Sequence, residues 1–209
     1  EYVLSQSGPM SMAPSQLGAF AKSDPRYETA NLEYHVQPLS LDAFGEPLHT
    51  FPGITASVCN LRPESRGTVH ATKPDWNAAP AIRPNYLDAD EDKAVAADAI
   101  RLTRRIMAQE ALAPHTPEEY LPGEAAASEE ELVEAARKIS TTIFHPVGTV
   151  AMGTEETAPL DARLRVRGVE GLRVVDASVM PTIVSGNTNA PTMMIADKAA
   201  AMILEDAKR

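Results

Sequence analysis

The sequence predicts an α+β fold in which an antiparallel sheet is flanked by helices, and three observations predict it. Apolar residues alternate at Leu32, Tyr34 and Val36 within Asn31–Leu41 until Pro38 breaks the run, the period of a strand with one buried face. Two more extended stretches, Gly53–Leu61 and Gly67–Ala71, follow after short connections. Short connections favour antiparallel neighbours, because parallel ones need crossovers. Helical spacing then takes over, with Val95, Ala99, Leu102 and Ile106 on one face.

Each element can be justified in turn. Residues 1–30 carry Gly8-Pro9, Pro14, Gly18 and Pro25 and read as loop with short extended pieces. A turn at Pro63–Arg66 separates the second and third strands, and the Pro- and Asn-rich stretch Lys73–Asn85 reads as loop. Asp88 opens a helix of roughly 20 residues, with acids in its first turn and Arg104 and Arg105 near its end, the order the helix dipole favours. Pro114, Pro117 and Pro122 forbid helix until Ser128. There Ser128 and Glu131 form the S-x-x-E capping pattern of a helix ending near Ile139. Leu164–Val166 and Leu172–Val175 read as extended, and a last helix spans Pro191–Asp206, with Pro191 suited to its first turn.

Composition excludes several classes. The 209 residues suffice for one core or one and a half, and 44% hydrophobic with 23% charged residues describes a globular chain. A net charge of -10 without any basic run argues against nucleic acid, whose phosphates need a track of Lys and Arg. The single cysteine, Cys59, rules out an internal disulfide framework and a multi-cysteine metal site, and fits a reducing compartment; the expected location is cytoplasmic, with peripheral membrane association as the variant. No apolar run reaches about 18 residues, so no transmembrane segment is expected. The chain opens Glu1-Tyr2-Val3-Leu4 with no initiator Met and no signal pattern, so an upstream portion is expected.

Local motifs are sparse. There is no G-x-G-x-x-G, P-loop, G-x-S-x-G or H-E-x-x-H. The five histidines, at 35, 49, 70, 115 and 145, lack metal-ligand spacing, so no metal is expected. Acidic runs such as Asp88–Asp92 and Glu129–Glu131 read as solvated helix starts. One stretch differs: His145 to Ile203 has few charges and is dense in small residues, among them Gly148, Gly153, Ala177, Ser178, Gly186 and Ala190. Such density fits either backbone held close to a large flat group or a tightly turned core.

Three pieces of that stretch carry a resemblance: HPVGT at 145–149, LDARLRVRGVEGLRVVDASVMPT at 160–182 and SGNTNAPTMMIADKAA at 185–200. They resemble the C-terminal signature of the glucose–methanol–choline (GMC) oxidoreductases, in the branch of choline dehydrogenase and choline oxidase. Upstream, LEYHVQPL at 32–39 and SRGTVHA at 65–71 match more loosely.

The resemblance implies an FAD-dependent enzyme oxidising a primary, choline-like alcohol by hydride transfer to flavin N5. His145 and Asn187 would be the catalytic pair: a neutral imidazole accepts the hydroxyl proton, and the amide donates to the oxygen as it becomes alkoxide-like. Read locally, His145-Pro146 is an extended turn and Asn187 tolerates a left-handed turn beside Gly186. Asp176 and Ala177 would contact the phosphate-ribityl part of FAD. Asn187, Thr188 and Asn189 would lie by the flavin ring, where a helix start offers free N–H groups, and ordinary capping holds equally there. Residues 1–144 would form the substrate-binding domain, and 145–209 the active-site segment with the closing strand and helix of an α/β, Rossmann-like FAD-binding domain.

The Gly-rich grip for the ADP half of FAD is absent, so the implied partners are an N-terminal FAD-binding portion of the same enzyme and a small alcohol. Alone, the chain would leave a strand edge exposed, so stable behaviour is expected with that portion or, as the alternative, through self-association as a homo-oligomer. Trp76 and Tyr86 are candidates for holding a quaternary ammonium. Two other readings stand beside this one: a non-catalytic, truncated interaction module, and a flavin-containing lyase on the same fold.

Overall fold

A computed structural model describes residues 2–43 and 45–208. Its elements are α1 (Tyr2–Ser5), β1 (Leu17–Ala21), β2 (Leu32–Gln37), β3 (Thr55–Asn60), β4 (Thr68–His70), β5 (Ala81–Arg83), α2 (Asp90–Met107), α3 (Glu129–Ile139) and α4 (Asn189–Asp206), with 3-10 turns at Pro9–Ser11, Glu110–His115 and Ala177–Val179. They form two compact units, one of Glu1–Asn60 with Lys93–Ile139 and the other of Leu61–Asp92 with Ser140–Arg209.

In the first unit β1, β2 and β3 form an antiparallel sheet, with Tyr34 opposite Ala19 on one side and Val58 on the other. The alternation read from the sequence decides its faces. Leu32 and Tyr34 point to one side and pack with Val95 and Ala99 of α2 in a buried cluster. The Tyr34 hydroxyl is 2.9 Å from Thr103 Oγ1, so the ring is buried without stranding its polar tip. A further face of α2, through Ala97, meets Leu132 and Val133 of α3. Ile106, expected on the apolar face, is 41% exposed because the helix ends one residue later and outruns its cover. The capping box forms as read: Glu131 Oε2 accepts from the Ser128 amide at 2.9 Å, and Ser128 Oγ accepts from the Glu131 amide at 3.3 Å. Arg104 holds the following loop, donating to both Glu119 oxygens at 2.8 Å and to the Ala126 carbonyl at 2.7 Å.

The second unit contains the two-stranded antiparallel ribbon β4–β5. Strand β5 lies in the stretch expected to be loop. Pro80 and Pro84 confine it to three residues, and tertiary pairing of Ile82 with Val69 overrides the turn composition. Only glycine fits at position 67, where a Cβ would stand 2.4 Å from the Arg83 carbonyl. The buried Asp92 carboxylate accepts from the Glu64 and Ser65 amides, each at 2.8 Å, closing the turn before β4.

The rest of this unit packs Leu160, Leu164, Val179, Met180, Ile195 and Ala199 into one core. Leu164–Val166 and Leu172–Val175 are not strands. They meet only in an isolated antiparallel bridge between Arg165 and Arg173, because Leu164 takes φ +62° and cannot continue an extended run. Three departures are smaller. α1 replaces the expected loop at Tyr2–Ser5, a 3-10 turn crosses Pro114, and α4 begins at Asn189, two residues ahead of Pro191. Among the described residues no helix is long and apolar enough to cross a membrane.

Candidate active site

His145 sits in a loop whose path is fixed on both sides. Phe144 before it has φ +63°, a conformation a bulky side chain rarely adopts. Gly148 after it has φ +83°, and an added Cβ would lie 3.4 Å from the Met180 carbonyl. The chain then joins the core through Val147, Val150 and Met152. It is also tied by backbone to the 3-10 turn Ala177–Val179, with the Val150 amide donating to the Ser178 carbonyl at 3.2 Å and the Met152 amide to the Val179 carbonyl at 2.9 Å. Asp176 shapes that turn: its carboxylate accepts from the Ser178 amide at 2.8 Å and from the Ser178 hydroxyl. Ala177 packs against the same core.

Asn187 and Thr188 approach from the other side, at the start of α4. That helix is held in place at its middle by Ile195 and Ala199, one turn apart on the core face. Its far end is clamped by cations: Arg163 donates to the Met202 carbonyl at 2.9 Å and to Asp206 Oδ1 at 2.9 Å, and Arg173 pairs with Asp206 as well. Positive charge at a helix C-terminus also complements its dipole. The Arg173 hydrogen bond, then that of Arg163, holds the Asp206 carboxyl below the usual carboxylate range.

These constraints converge on one imidazole. Asn187 Nδ2 lies 3.1 Å from His145 Nε2, and Thr188 Oγ1 lies 2.9 Å from His145 Nδ1. An amide nitrogen has only protons to offer, so it donates to Nε2, which then carries the lone pair. A neutral imidazole paired in this way carries its proton on Nδ1 and donates it to Thr188 Oγ1. Nε2 thus faces an exposed amide and Nδ1 a buried hydroxyl, Asn187 being exposed and Thr188 buried.

The residues named from sequence fall into two groups. His145, Asn187 and Thr188 are in direct hydrogen-bond contact, and Asn189 follows as the first residue of α4. Asp176 and Ala177 lie on the 3-10 turn tied to the chain after His145. Trp76 is 91% exposed and Tyr86 62% exposed, so neither lines an enclosed pocket in its own unit. Sequence reading missed the tie between Thr188 and the ring. The threonine stands where a helix cap is expected, yet makes no side-chain cap bond to α4. Nor did any sequence signal mark the strained Phe144.

The imidazole of His145, the exposed amide of Asn187 and the buried hydroxyl of Thr188 thus meet at a helix start. The sequence profile of the GMC oxidoreductase family matches residues 63–196, and the chain belongs to that family. Across 203 residues it is 38% identical to an alcohol dehydrogenase [acceptor] of Pseudomonas putida, covering 97% of this chain and 37% of the relative. Across 185 residues it is 42% identical to an oxygen-dependent choline dehydrogenase of Pseudomonas syringae pv. tomato, covering 88% of this chain and 33% of the relative. Among solved structures, an FAD-dependent oxidoreductase from Chaetomium thermophilum superposes with a TM-score of 0.73 at 25% identity, covering 86% of this chain and 29% of the other. The chain thus spans about a third of the length of the curated relatives it matches.

Proposed function

We propose that this chain is the substrate-binding and active-site portion of an FAD-dependent oxidoreductase that oxidises a primary, choline-like alcohol. In this reading residues 1–144 serve the substrate and residues 145–209 complete the cofactor domain, with an N-terminal FAD-binding portion as partner. The observation that carries the reading is the 3.1 Å contact between His145 Nε2 and Asn187 Nδ2.

A hydroxyl oxygen entering beside that contact meets both groups at once. The Nε2 lone pair takes the hydroxyl proton, and the Asn187 amide, released from the ring, donates to the oxygen as negative charge develops on it. Thr188 acts through the ring, holding the Nδ1 proton and so the orientation that leaves Nε2 basic.

Two features of the chain fit FAD. The Thr188 hydroxyl is turned to His145, so no side chain caps the first turn of α4 and its N–H groups are left to an acceptor. Beside them Gly186 has nothing within 4 Å of where a Cβ would stand, leaving room for a ring. Asn187, Thr188 and Asn189 would border that ring, and Asp176 and Ala177 the phosphate-ribityl part. FAD, when bound, supplies the acceptor for the hydride from the alcohol carbon.

The test is the full protein, FAD-loaded, assayed for alcohol-dependent dye reduction. His145→Ala lowers kcat by about 100-fold or more, the scale of a lost general base. An unchanged rate in that variant refutes the assignment; cyanohydrin cleavage without any bleaching by alcohols would place the protein among lyases.

A further inference from the structure

The proposed chemistry makes no use of the β4–β5 ribbon, yet several contacts hold it out from its unit. At its base Ser65 Oγ accepts from the Asp88 and Ala89 amides, each at 3.0 Å, and Gly67 lies close against the Arg83 carbonyl. At its far end the Asp75 carbonyl accepts from the Ala78 amide and the Asp75 carboxylate from the Asn77 amide, both at 3.0 Å. The Thr72 hydroxyl donates to the Ala79 carbonyl at 3.0 Å. These bonds build a fixed turn with Trp76 at the tip, where its side chain is 91% exposed.

We infer that this ribbon is a docking surface for an anionic lipid bilayer, with Trp76 and the face of Val69 and Ile82 entering the headgroup region. The inference goes beyond the proposed alcohol oxidation and does not depend on it. Three observations carry it. First, residues 66–77 and 82–86 are exposed throughout, and the cross-strand partners Val69 and Ile82 present apolar side chains on one face. A two-stranded ribbon is marginal in water unless something covers it, and an apolar face so presented marks a surface of contact.

Second, the charge is reversed there. Between Arg66 and Tyr86 the chain carries Arg66, Lys73 and Arg83 against Asp75 alone, whereas the whole chain has a net charge of -10. An anionic surface attracts the ribbon and repels the remainder, which fixes the side that approaches. The neighbouring acids Glu64 and Asp88 stand at the base, away from the tip. Third, the residue types suit the depth. An indole settles at headgroup level, while Lys and Arg lay apolar stems against the bilayer and reach the phosphates with their charged ends.

Other occupants fit less well. A second copy docked ribbon to ribbon across a two-fold axis would set these cations against their own equivalents. A strand added along β5 would meet Pro80 and Pro84 on either side of it, which offer no amide. A fluid lipid surface requires no backbone pairing.

The experiment is sedimentation of the full protein with vesicles of equal parts phosphatidylglycerol and phosphatidylcholine. Binding is expected at low salt and should weaken as salt is raised and on vesicles of phosphatidylcholine alone. Trp76→Ala should weaken it by about 10-fold, and Lys73→Gln together with Arg83→Gln by about 20-fold. The emission of Trp76, taken as the difference between wild type and Trp76→Phe, should be open to acrylamide in free protein and move to shorter wavelength on vesicles. No binding by the wild type, equal binding to the neutral vesicles, or undiminished binding by Trp76→Ala overturns the site. Trp76 emission shielded from acrylamide before any lipid is added also overturns it, because the protein's own remainder would then cover the ribbon. Alcohol-dependent flavin reduction, measured on the same samples without vesicles, reports separately on the proposed oxidoreductase activity.

Discussion

The Thr188 hydroxyl lies 2.9 Å from His145 Nδ1, although Thr188 occupies the position from which a threonine ordinarily caps its own helix. The helix start thus gives up its cap for a contact with a ring that is 43 residues away in sequence. Replacing the hydroxyl by a methyl tests this. Thr188→Val should lower kcat by about 10-fold, or ~1.4 kcal/mol of transition-state stabilisation, with KM little changed. Thr188→Ser should restore most of the rate, because it keeps the acceptor. Equal rates in the valine and wild-type proteins would remove Thr188 from the site.

Gly148 connects the histidine loop to the core at φ +83°. Gly148→Ala combines a left-handed conformation with a Cβ set 3.4 Å from the Met180 carbonyl. It should destabilise the protein by about 1–2 kcal/mol, read as a lower denaturant midpoint at unchanged slope. A midpoint equal to wild type would show that the loop conformation is not enforced.

The clamp on α4 makes a pH prediction. Asp206 is held below its unfolded value, so its stabilising contribution is present above the ordinary carboxylate pKa and is lost as pH falls. Melting temperature should drop from about pH 5 to about pH 3, and less steeply in Asp206→Asn, which is already weakened at neutral pH. Parallel acid limbs for the two proteins would contradict this.

The capping box of α3 predicts a smaller effect. Ser128→Ala removes the oxygen that accepts from the Glu131 amide and should cost about 1 kcal/mol, or ~2–4 °C in Tm. The backbone amides of Ser128 and Ala127 keep the Glu131 carboxyl below its ordinary range, so Glu131→Gln should lose stability at neutral pH and converge with wild type in acid. Unchanged melting in Ser128→Ala would show the helix start to be held by packing alone.

Local pattern determined a good part of this protein. Alternation at Leu32, Tyr34 and Val36 decided which face of β2 is buried, and the spacing of Val95 and Ala99 decided which face of α2 covers it. Ser128 and Glu131 set a helix start in four residues, and the HPVGT and SGNTNAPT stretches marked the residues that meet at His145. Each of these signals lies within a short window, where residue spacing alone fixes direction. What depended on distant chain was decided only by the tertiary structure. Strand β5 exists because β4 pairs with it, and Leu164 breaks a run that reads as extended because the core requires its φ +62°. The hydrogen bond between His145 and Thr188 and the meeting of Glu33, His35 and Cys59 arise from loop closure and strand register. Those are set by the packing of whole elements, and no local window contains them.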